Sequence, residues 1–247
     1  MENNNCITIK EVSIGFKKNK EDLPLFNNLN LNFFIGDFIG IVGLNGIGKS
    51  TFLKSICGLM PLLKGNISIH QKPLPKYDNN ELAKKISVVL TEKINGFNLS
   101  VYDLVASGQM PYTNSFNTLN PENKLIINEA IKTCGLSAHQ HKLLHELSDG
   151  LFQKTLIAKS IAQQTNIMLL DEPSAFLDFA SKHDLFHLLK NQTTHHNKCV
   201  LVSSHDLDLI LKYCNKILLL SDGKMELIPI SEAISNNTFK QISGDFI

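Results

Sequence analysis

Arginine is absent from this chain of 247 residues, and its 24 basic residues are all lysines. They are balanced by 23 acidic residues, which leaves a formal net charge of +1 at pH 7. The chain therefore lacks a global basic field, which is the usual electrostatic footprint of nucleic-acid binders. We expect no nucleic acid among its partners.

Long apolar runs are also missing, although 43% of the residues are hydrophobic. No segment reaches the roughly 18 uninterrupted apolar residues that a membrane-spanning helix needs. The polar opening MENNNC has neither the charged start nor the apolar stretch of a secretory signal peptide. We therefore expect the chain to stay in the cytoplasm.

Paired cysteine motifs are missing too. The five cysteines are an odd number without any C-x-x-C pair, which argues against a disulfide framework or a zinc site and favours reduced core residues. Among the nine histidines, His183 and His187 lie four residues apart on a predicted helix, a spacing that can share a metal ion. No carboxylate or cysteine completes a ligand pattern around them, so structural roles are favoured.

Short apolar strands alternate with helical patterns along most of the chain. Each strand is apolar on successive residues, which is typical of strands buried on both faces of a parallel sheet. The strands predicted in this way are FIGIVG (38–43), SVVL (87–90), IMLL (167–170), CVLVS (199–203) and KILLL (216–220). The fold class is therefore α/β, with a mainly parallel sheet flanked by helices.

Two regions differ from this alternation. The opening third alternates apolar and polar residues in ITIKEVSIGF and NLNLNFFIG, which predicts an antiparallel β subdomain with one face towards a core. Between about residues 93 and 165 the patterns are helical and strands are few. We expect a single domain over 1–247, in which 1–92 and 166–247 form the core and about 93–165 form an inserted helical subdomain.

A glycine-rich segment, GLNGIGKST, fits the pattern G-x-x-x-x-G-K-[ST] and lies between an apolar strand and a helical pattern, as that motif requires. Its glycines let the backbone turn tightly and direct several N–H groups at one point, where the next helix adds its positive dipole end. Such a loop binds a polyphosphate, with Lys49 neutralising the phosphates and the Ser50 hydroxyl available to Mg²⁺. The predicted binding residues are Gly43, Leu44, Asn45, Gly46, Ile47, Gly48, Lys49, Ser50 and Thr51.

Two adjacent carboxylates follow the strand IMLL, and a histidine follows CVLVS. Ligand sites in wound sheets lie at the carboxyl ends of strands, so we expect these side chains to meet the phosphate loop. Asp171 is placed to hold Mg²⁺, directly or through water, and Glu172 to polarise a water aimed at the terminal phosphate. His205 can donate a hydrogen bond there or shuttle a proton. The alternative is that the two acids only cap the next helix.

Together with the segment ELSDGLFQK, these motifs resemble the ABC ATPase family over essentially the whole chain. AFLD, which ends at Asp178, stands at the family's D-loop, and His205 stands at its switch histidine. The resemblance implies a P-loop NTPase fold and an ATPase that uses ATP and Mg²⁺. The residues at the place of the family's LSGGQ signature are Leu147, Ser148, Asp149, Gly150 and Leu151.

In the family, the signature lies at the N-terminal end of a helix and binds the γ-phosphate of ATP held by the other subunit. The resemblance therefore implies an isologous homodimer in the ATP-bound state, with two ATP molecules between the subunits. The N–H groups after Ser148 suit an anion, which agrees with this role. Phe16 stands where the family has an aromatic residue that stacks on adenine, and a place in the core is the alternative.

Three positions depart from the family pattern. Glu92 stands where the family's Q-loop has glutamine, and its carboxylate can ligate Mg²⁺ but cannot donate a hydrogen bond when ionised. Asp149 replaces a glycine and adds negative charge near a phosphate site, and Leu151 replaces a glutamine and removes a polar contact. These departures leave open a regulator that binds nucleotide and hardly hydrolyses it.

Several segments, namely LTEK, ASGQMPYTNSF, ELSDG and DEPSAFLD, are similar to those in ATPases of importers for iron chelates, haem or cobalamin. That branch implies integral membrane permease subunits, an external solute-binding protein, and a peripheral place on the inner face of the cell membrane. Gln109 stands where those ATPases commonly have arginine. The alternative is a cytosolic ABC-type ATPase without a transporter, although such proteins often carry two cassettes, coiled-coil insertions or basic arms.

Overall fold

The fold is seen in a computed structural model, which describes residues 4–18, 21–90, 98–114, 118–221 and 223–235. Glu92 lies outside the described residues. The strands among them are β1 (Asn5–Lys18), β2 (Glu21–Phe34), β3 (Phe38–Val42), β4 (Lys64–Ile69), β5 (Lys72–Pro73), β6 (Ile86–Val89), β7 (Ile167–Leu170), β8 (Cys199–Ser203), β9 (Lys216–Ser221) and β10 (Lys224–Pro229). The α-helices are α1 (Lys49–Ile56), α2 (Asn79–Ala83), α3 (Val101–Ala106), α4 (Pro121–Thr133), α5 (Asp149–Ala162), α6 (Phe179–Thr194), α7 (Leu207–Tyr213) and α8 (Ile230–Ser235).

The larger sheet has the strand order β10-β9-β3-β8-β7-β6. All neighbours from β9 to β6 are parallel, and β10 is an antiparallel edge strand. Because β3, β8 and β7 are adjacent and parallel, the segments that follow them emerge at the same edge of the sheet. The predicted α/β fold with a mainly parallel sheet is confirmed.

Both faces of this sheet are covered, and every residue of β3, β7 and β8 is buried. In β3, Phe38 and Val42 pack into the core on the helical side, whereas Ile39 and Ile41 pack into the core beneath the second sheet. Burial of each such side chain stabilises the fold by about 1.5–3 kcal/mol. The continuous apolar runs in the sequence follow from this burial on two sides.

The second sheet is antiparallel and has the order β2-β1-β4-β5. Its inner face and helix α1 share one hydrophobic core with the larger sheet. Within that core, the rings of Phe33 in β2 and Phe52 in α1 meet edge to face, with their centroids 6.5 Å apart. Helix α1, which follows the phosphate loop, is thus fixed between the two sheets.

Helices α3, α4 and α5 form a helical block between β6 and β7. α3 and α4 each begin with a capping box, in which Ser100 pairs with Asp103 and Asn120 with Asn123. The buried Gln109 ties the block together, because its amide group donates to the Ala162 carbonyl of α5 and accepts 2.8 Å from Asn123 Nδ2 of α4. The boundaries 1–92, 93–165 and 166–247 stay a prediction.

All five cysteines are buried and free, so their expected place in the core is confirmed. His183 Nδ1 lies 3.1 Å from the Tyr213 hydroxyl, and His187 Nδ1 lies 3.4 Å from the Asn191 amide nitrogen. None of the helices within the described ranges combines the length and the apolar character needed to cross a membrane.

Candidate functional site

The phosphate loop joins the central strand β3 to the start of α1. Gly46 and Gly48 have positive φ angles of 78° and 118°, a backbone conformation that side chains with a Cβ rarely adopt. A Cβ on Gly48 would also lie only 2.8 Å from a ring carbon of Phe26. The loop can therefore turn into the helix only with glycine at this position, and the turn presents the first N–H groups of α1 as an anion-binding end.

Lys49 is held over this loop, although it is almost fully buried. Its Nζ donates to the Gly43 carbonyl at 2.8 Å and lies 3.9 Å from Glu172 Oε1. Burial lowers the pKa of Lys49, while the negative charges of Glu172 and Asp171 oppose that shift. A buried cation thus stands between the loop and the acids after β7.

Asp171 is fixed at the end of β7 by two contacts. Its backbone N–H donates to the Val89 carbonyl of β6, and its Oδ1 accepts a 2.8 Å hydrogen bond from the Ser203 hydroxyl at the end of β8. The same hydroxyl accepts a 2.8 Å hydrogen bond from the Glu172 backbone N–H. Sequence reasoning missed Ser203, whose only signal was a hydroxyl residue at the end of the strand next to β7.

Glu172 adopts a left-handed backbone, with a φ of 49°. Such a conformation costs about 1–3 kcal/mol in a residue other than glycine and is often found at functional sites. It accompanies a carboxylate whose Oε1 lies 2.9 Å from His205 Nε2. That approach lacks hydrogen-bond geometry, so the buried Oε1 has no hydrogen-bond donor among the described residues. Burial is the main cause that raises the pKa of Glu172, and Lys49 opposes the shift.

His205 stands two residues beyond β8, where its ring is partly exposed. Burial lowers the pKa of His205, and the nearby positive charge of Lys49 adds to this effect. The neutral imidazole is therefore favoured over a wider pH range than in an exposed histidine. A neutral ring can donate from one nitrogen and accept at the other, which suits a contact with water or phosphate.

These side chains line one open cleft of about 250 Å³. The lining residues are Asn45, Gly46, Gly48, Lys49, Ser50, Thr51, Asp171, Glu172 and His205. Gly43, Leu44 and Ile47 belong to the same loop without lining the cleft, although the carbonyls of Gly43 and Leu44 face Lys49 Nζ. The segments that follow β3, β7 and β8 therefore meet in one cleft, as the sequence predicted.

The oxygen groups of this cleft fit a hard divalent cation. Asp171 Oδ1 accepts from Ser203, whereas Oδ2 has no donor among the described residues and remains an acceptor in the cleft. The Ser50 hydroxyl lines the same cleft. Carboxylate and hydroxyl oxygens are the donors that Mg²⁺ prefers, together with water and phosphate oxygens.

The signature residues lie elsewhere in the chain, and none of the five lines this cleft. Ser148 is exposed and caps α5, since its hydroxyl accepts from the Leu151 N–H at 3.3 Å. Asp149 is exposed in the first turn. Leu147 and Leu151 are half-buried against the helical core. A Cβ on Gly150 would touch the segment that contains Phe176 and Leu177 at 3.4 Å, so the signature packs beside the predicted D-loop.

Asp178, in the predicted D-loop, is the N-cap of α6. Its Oδ1 accepts 2.8 Å from the Ser181 N–H and its Oδ2 accepts 2.9 Å from the Ser181 hydroxyl. These hydrogen bonds lower the pKa of Asp178. The cap of the helix after β7 is therefore Asp178, and neither Asp171 nor Glu172 has that role.

Phe16 lies on β1, opposite Leu23 of β2, and half of its surface is exposed. It is therefore not part of the core, which was the alternative to adenine stacking. Leu25 follows Leu23 by two residues on β2, and its side chain packs close to Gly48 of the phosphate loop. The strand pair thus carries Phe16 on the side of the phosphate loop, and its contact with adenine stays a prediction.

A protein-family model described as ABC transporter matches residues 26–175 of the chain. The matched region contains the phosphate loop, the signature segment and both acids after β7.

Two curated relatives illustrate the similarity. An uncharacterized ABC transporter ATP-binding protein of Methanocaldococcus jannaschii is 36% identical over 216 residues, which is 87% of this chain and 73% of the relative. The petrobactin import ATP-binding protein FpuC of Bacillus anthracis is 28% identical over 218 residues, which is 88% of this chain and 80% of the relative.

Two solved structures have the same fold and are 26% and 27% identical to this chain in sequence. A putative metal-chelate type ABC transporter in an inward-facing conformation matches with a TM-score of 0.78 and 26% identity, covering 93% of this chain and 85% of its own. A dimeric structure of a bacterial ABC transporter cassette matches with a TM-score of 0.80 and 27% identity, covering 91% of this chain and 98% of its own.

Proposed function

The chain belongs to the ABC transporter family as an ATP-binding subunit, and we propose that it hydrolyses ATP at the cleft around Lys49 to drive solute import through a separate permease. The observation that carries the proposal is the meeting of three groups from three strand ends. Lys49 Nζ lies 3.9 Å and His205 Nε2 lies 2.9 Å from the same oxygen, Glu172 Oε1. A cation, a base and a proton-handling ring at one point are the parts that phosphoryl transfer to water requires.

The phosphate loop binds the triphosphate in this proposal. The N–H groups at the start of α1 receive the phosphate oxygens, and Lys49 exchanges its contact with the Gly43 carbonyl for the terminal phosphates. The chain has no arginine to share this task, so Lys49 carries most of the positive charge that the protein supplies. Phe16, at the exposed end of β1, stacks on the adenine ring.

Glu172 acts as the general base in this proposal. Its buried Oε1 has no hydrogen-bond donor among the described residues, so it can accept a hydrogen bond from the attacking water. The raised pKa of the carboxyl makes it a better proton acceptor than an exposed glutamate. Ser203 orients the base through its hydrogen bond with the Glu172 N–H. His205, whose Nε2 lies beside the same carboxylate, stabilises the terminal phosphate.

Ser50 and Asp171 hold Mg²⁺ in this proposal, and Glu92 is a further candidate ligand that lies outside the described residues. When bound, the cation neutralises charge on the β- and γ-phosphate oxygens. The role of Ser203 is to fix Asp171 Oδ1, which leaves Oδ2 free to point into the cleft.

The complete site requires a second copy of the chain. The cleft of about 250 Å³ is open, and it is smaller than the roughly 300–1,000 Å³ pockets that enclose most ligands. Ser148 and the first N–H groups of α5 form a second anion-binding end that is exposed and lies outside the cleft. The dimeric cassette structure supports a homodimer in which Ser148 of one subunit meets the phosphates held by Lys49 of the other.

The transported solute is an iron–siderophore complex or a related chelate such as haem or cobalamin. This assignment is supported by the similarity to a petrobactin import ATPase and to a metal-chelate type transporter. An integral permease and an external solute-binding protein complete the system, with this chain on the inner face of the membrane. Residues near Gln109 lie in the helical block, which is the surface that receives the permease.

The hydrolysis step is tested with a Glu172→Gln variant. The amide keeps the size of the side chain but cannot accept the proton, so we expect ATP turnover to fall by roughly 100-fold to 10,000-fold while ATP binding remains. Turnover is measured by phosphate release from the purified chain, with and without its permease. Glu226→Gln, which changes an exposed carboxylate on β10, is the matched control and should retain full turnover.

Turnover that does not depend on Glu172 would contradict the catalytic role. If the wild-type chain binds ATP but shows no turnover, even with the permease, the protein is a nucleotide-binding regulator. The transport role is tested separately by co-purification from native membranes. Recovery of a multi-span permease in stoichiometric amount supports the transport role. Recovery of a soluble assembly in its place contradicts the transport role and leaves the ATPase activity as the proposal.

A further inference from the structure

A second cavity of about 390 Å³ lies between the helical block and the amino-terminal end of β8. Ile126 and Glu129 of α4 and Ile161 of α5 line one side, and Gln192 of α6 and Lys198 line the other. Lys198 directly precedes β8, whereas Ser203 ends it. Five residues of extended chain span about 16 Å, so this cavity is separate from the nucleotide cleft.

Lys198 is the unusual residue of this cavity. The residue is only 7% exposed, yet Nζ has no hydrogen-bond or ion-pair partner among the described residues. Gln192 is 4% exposed, and its side-chain amide likewise has no partner in the described part of the chain. Both residues line the same cavity.

Unpaired donors of this kind are costly. A lysine that is largely buried without a counter-charge loses part of its hydration, and its pKa commonly shifts in response. Burial does lower the pKa of Lys198, to about 8, and no carboxylate in the described part of the chain raises it. Glu129 also lines the cavity but is not within ion-pair distance of Lys198, and His196 stands at the exposed side.

The geometry points to a binding site for a small oxyanion, a carboxylate or phosphate group carried by a metabolite, which accepts hydrogen bonds from Lys198 and the Gln192 amide. The apolar side chains of Ile126 and Ile161 leave room for a short hydrocarbon part next to the acidic group. Because α4 and α5 contribute one wall and α6 the other, a bound anion links the helical block to the core. The inference does not depend on the proposed ATPase activity.

The test measures anion binding to the Lys49→Met chain, in which the phosphate loop is weakened as a competing site. Inorganic phosphate and acetate are titrated separately by calorimetry and by the rise in Tm, at constant ionic strength set with sodium chloride. We expect one or both anions to bind. The anion that binds more tightly identifies whether the site prefers a phosphate or a carboxylate.

Lys198→Met in the same background should weaken that binding by roughly tenfold to a hundredfold, the range for loss of a hydrogen bond to a charged group. Lys198→Arg keeps the charge and should retain most of the affinity. Ile126→Trp, which enlarges a side chain of the cavity lining and leaves Lys198 in place, should block binding and provides a second check if Lys198→Met does not fold. Binding in which both Lys198→Met and Ile126→Trp keep the affinity of the parent Lys49→Met chain, or no binding of either anion to that parent, overturns the inference.

Discussion

The phosphate-loop half of the site and the signature half are built in opposite ways. Lys49, Asp171 and Glu172 are buried or nearly so, and they are held by hydrogen bonds that link three strand ends. Ser148, by contrast, is exposed at the start of α5, and among the described residues its side chain makes only the local hydrogen bond of a helix cap. One half is organised within a single chain, and the other half presents an anion-binding end to the outside.

The difference indicates which half depends on a partner. The phosphate-loop half has its cation, carboxylates and imidazole in contact before any ligand arrives, so its geometry is preorganised. The signature half offers the N–H groups at the start of α5, and Asp149 is the acidic residue in the first turn of that helix. We therefore propose that its contribution is made across a dimer interface, in an isologous arrangement.

After the loss of the base in Glu172→Gln, the largest expected effect comes from removing the cation of the phosphate-loop half. Lys49→Met should lower ATP turnover by roughly 100-fold to 1,000-fold, because the buried charge that faces the phosphates is lost. ATP affinity of the single chain should fall as well, which fluorescence titration with a labelled nucleotide measures. Lys10→Met, an exposed lysine on β1, is the control. Unchanged affinity and turnover in Lys49→Met would contradict the assignment of the phosphate-loop half as the ATP-binding site.

A smaller effect is expected from Ser203, which organises the two acids without touching substrate. Ser203→Ala removes the donor to Asp171 and the acceptor for the Glu172 N–H, so turnover should fall by about tenfold with a loss of roughly 1–3 kcal/mol in unfolding free energy. Turnover and urea denaturation are the measurements. The hydroxyl of the buried Ser55 donates to the Thr51 carbonyl of the same helix and to no other described residue, so Ser55→Ala should lose stability without the same fall in turnover. Equal turnover in Ser203→Ala and wild type would mean that this hydroxyl does not position the base.

The smallest effect on catalytic chemistry is expected from Gln109, which supports the signature side of the molecule. Gln109→Ala leaves the Asn123 amide and the Ala162 carbonyl without a partner, which should lower the unfolding free energy by about 1–3 kcal/mol. Nucleotide affinity of the single chain should not change, because no cleft residue is involved. Urea denaturation and nucleotide titration test both points, with the half-buried Gln140→Ala as control. A large loss of affinity would show that the two halves are not independent.

Much of the sheet could be predicted because burial on two faces leaves a continuous apolar signal. β7 and β8 were predicted with their observed bounds, and the region between about 93 and 165 that was predicted to be helical contains α3, α4 and α5. β4 and β10 were not predicted, because their exposed residues break the apolar pattern. Their place depends on pairing with β1 and β9, which local sequence does not encode.

The phosphate-loop part of the candidate site was predictable, because its sequence motif goes with one backbone geometry. The bridge made by Ser203 was not predictable, since it depends on the register between β7 and β8. The left-handed backbone of Glu172 was also not predictable, because a residue other than glycine rarely adopts this conformation and the sequence carries no signal for it. Lys198 had no signal either, since its burial follows from how the helical block packs on α6.

The dimeric arrangement is the central claim, and it is tested by mixing two inactive variants. Lys49→Met destroys the phosphate-loop half, and Ser148→Arg blocks the signature half. A mixed dimer then contains one site with both defects and one site with none. Equal mixing should restore turnover to about a quarter of wild type, since half of the dimers are mixed and each has one intact site of two.

The matched control mixes Lys49→Met with a chain that carries both substitutions, for which no dimer has an intact site. Phosphate release is measured for each variant alone and for both mixtures. Turnover restored only in the first mixture is the result that the account predicts. Turnover that stays as low as in the separate variants would contradict the claim that each site is shared between two chains.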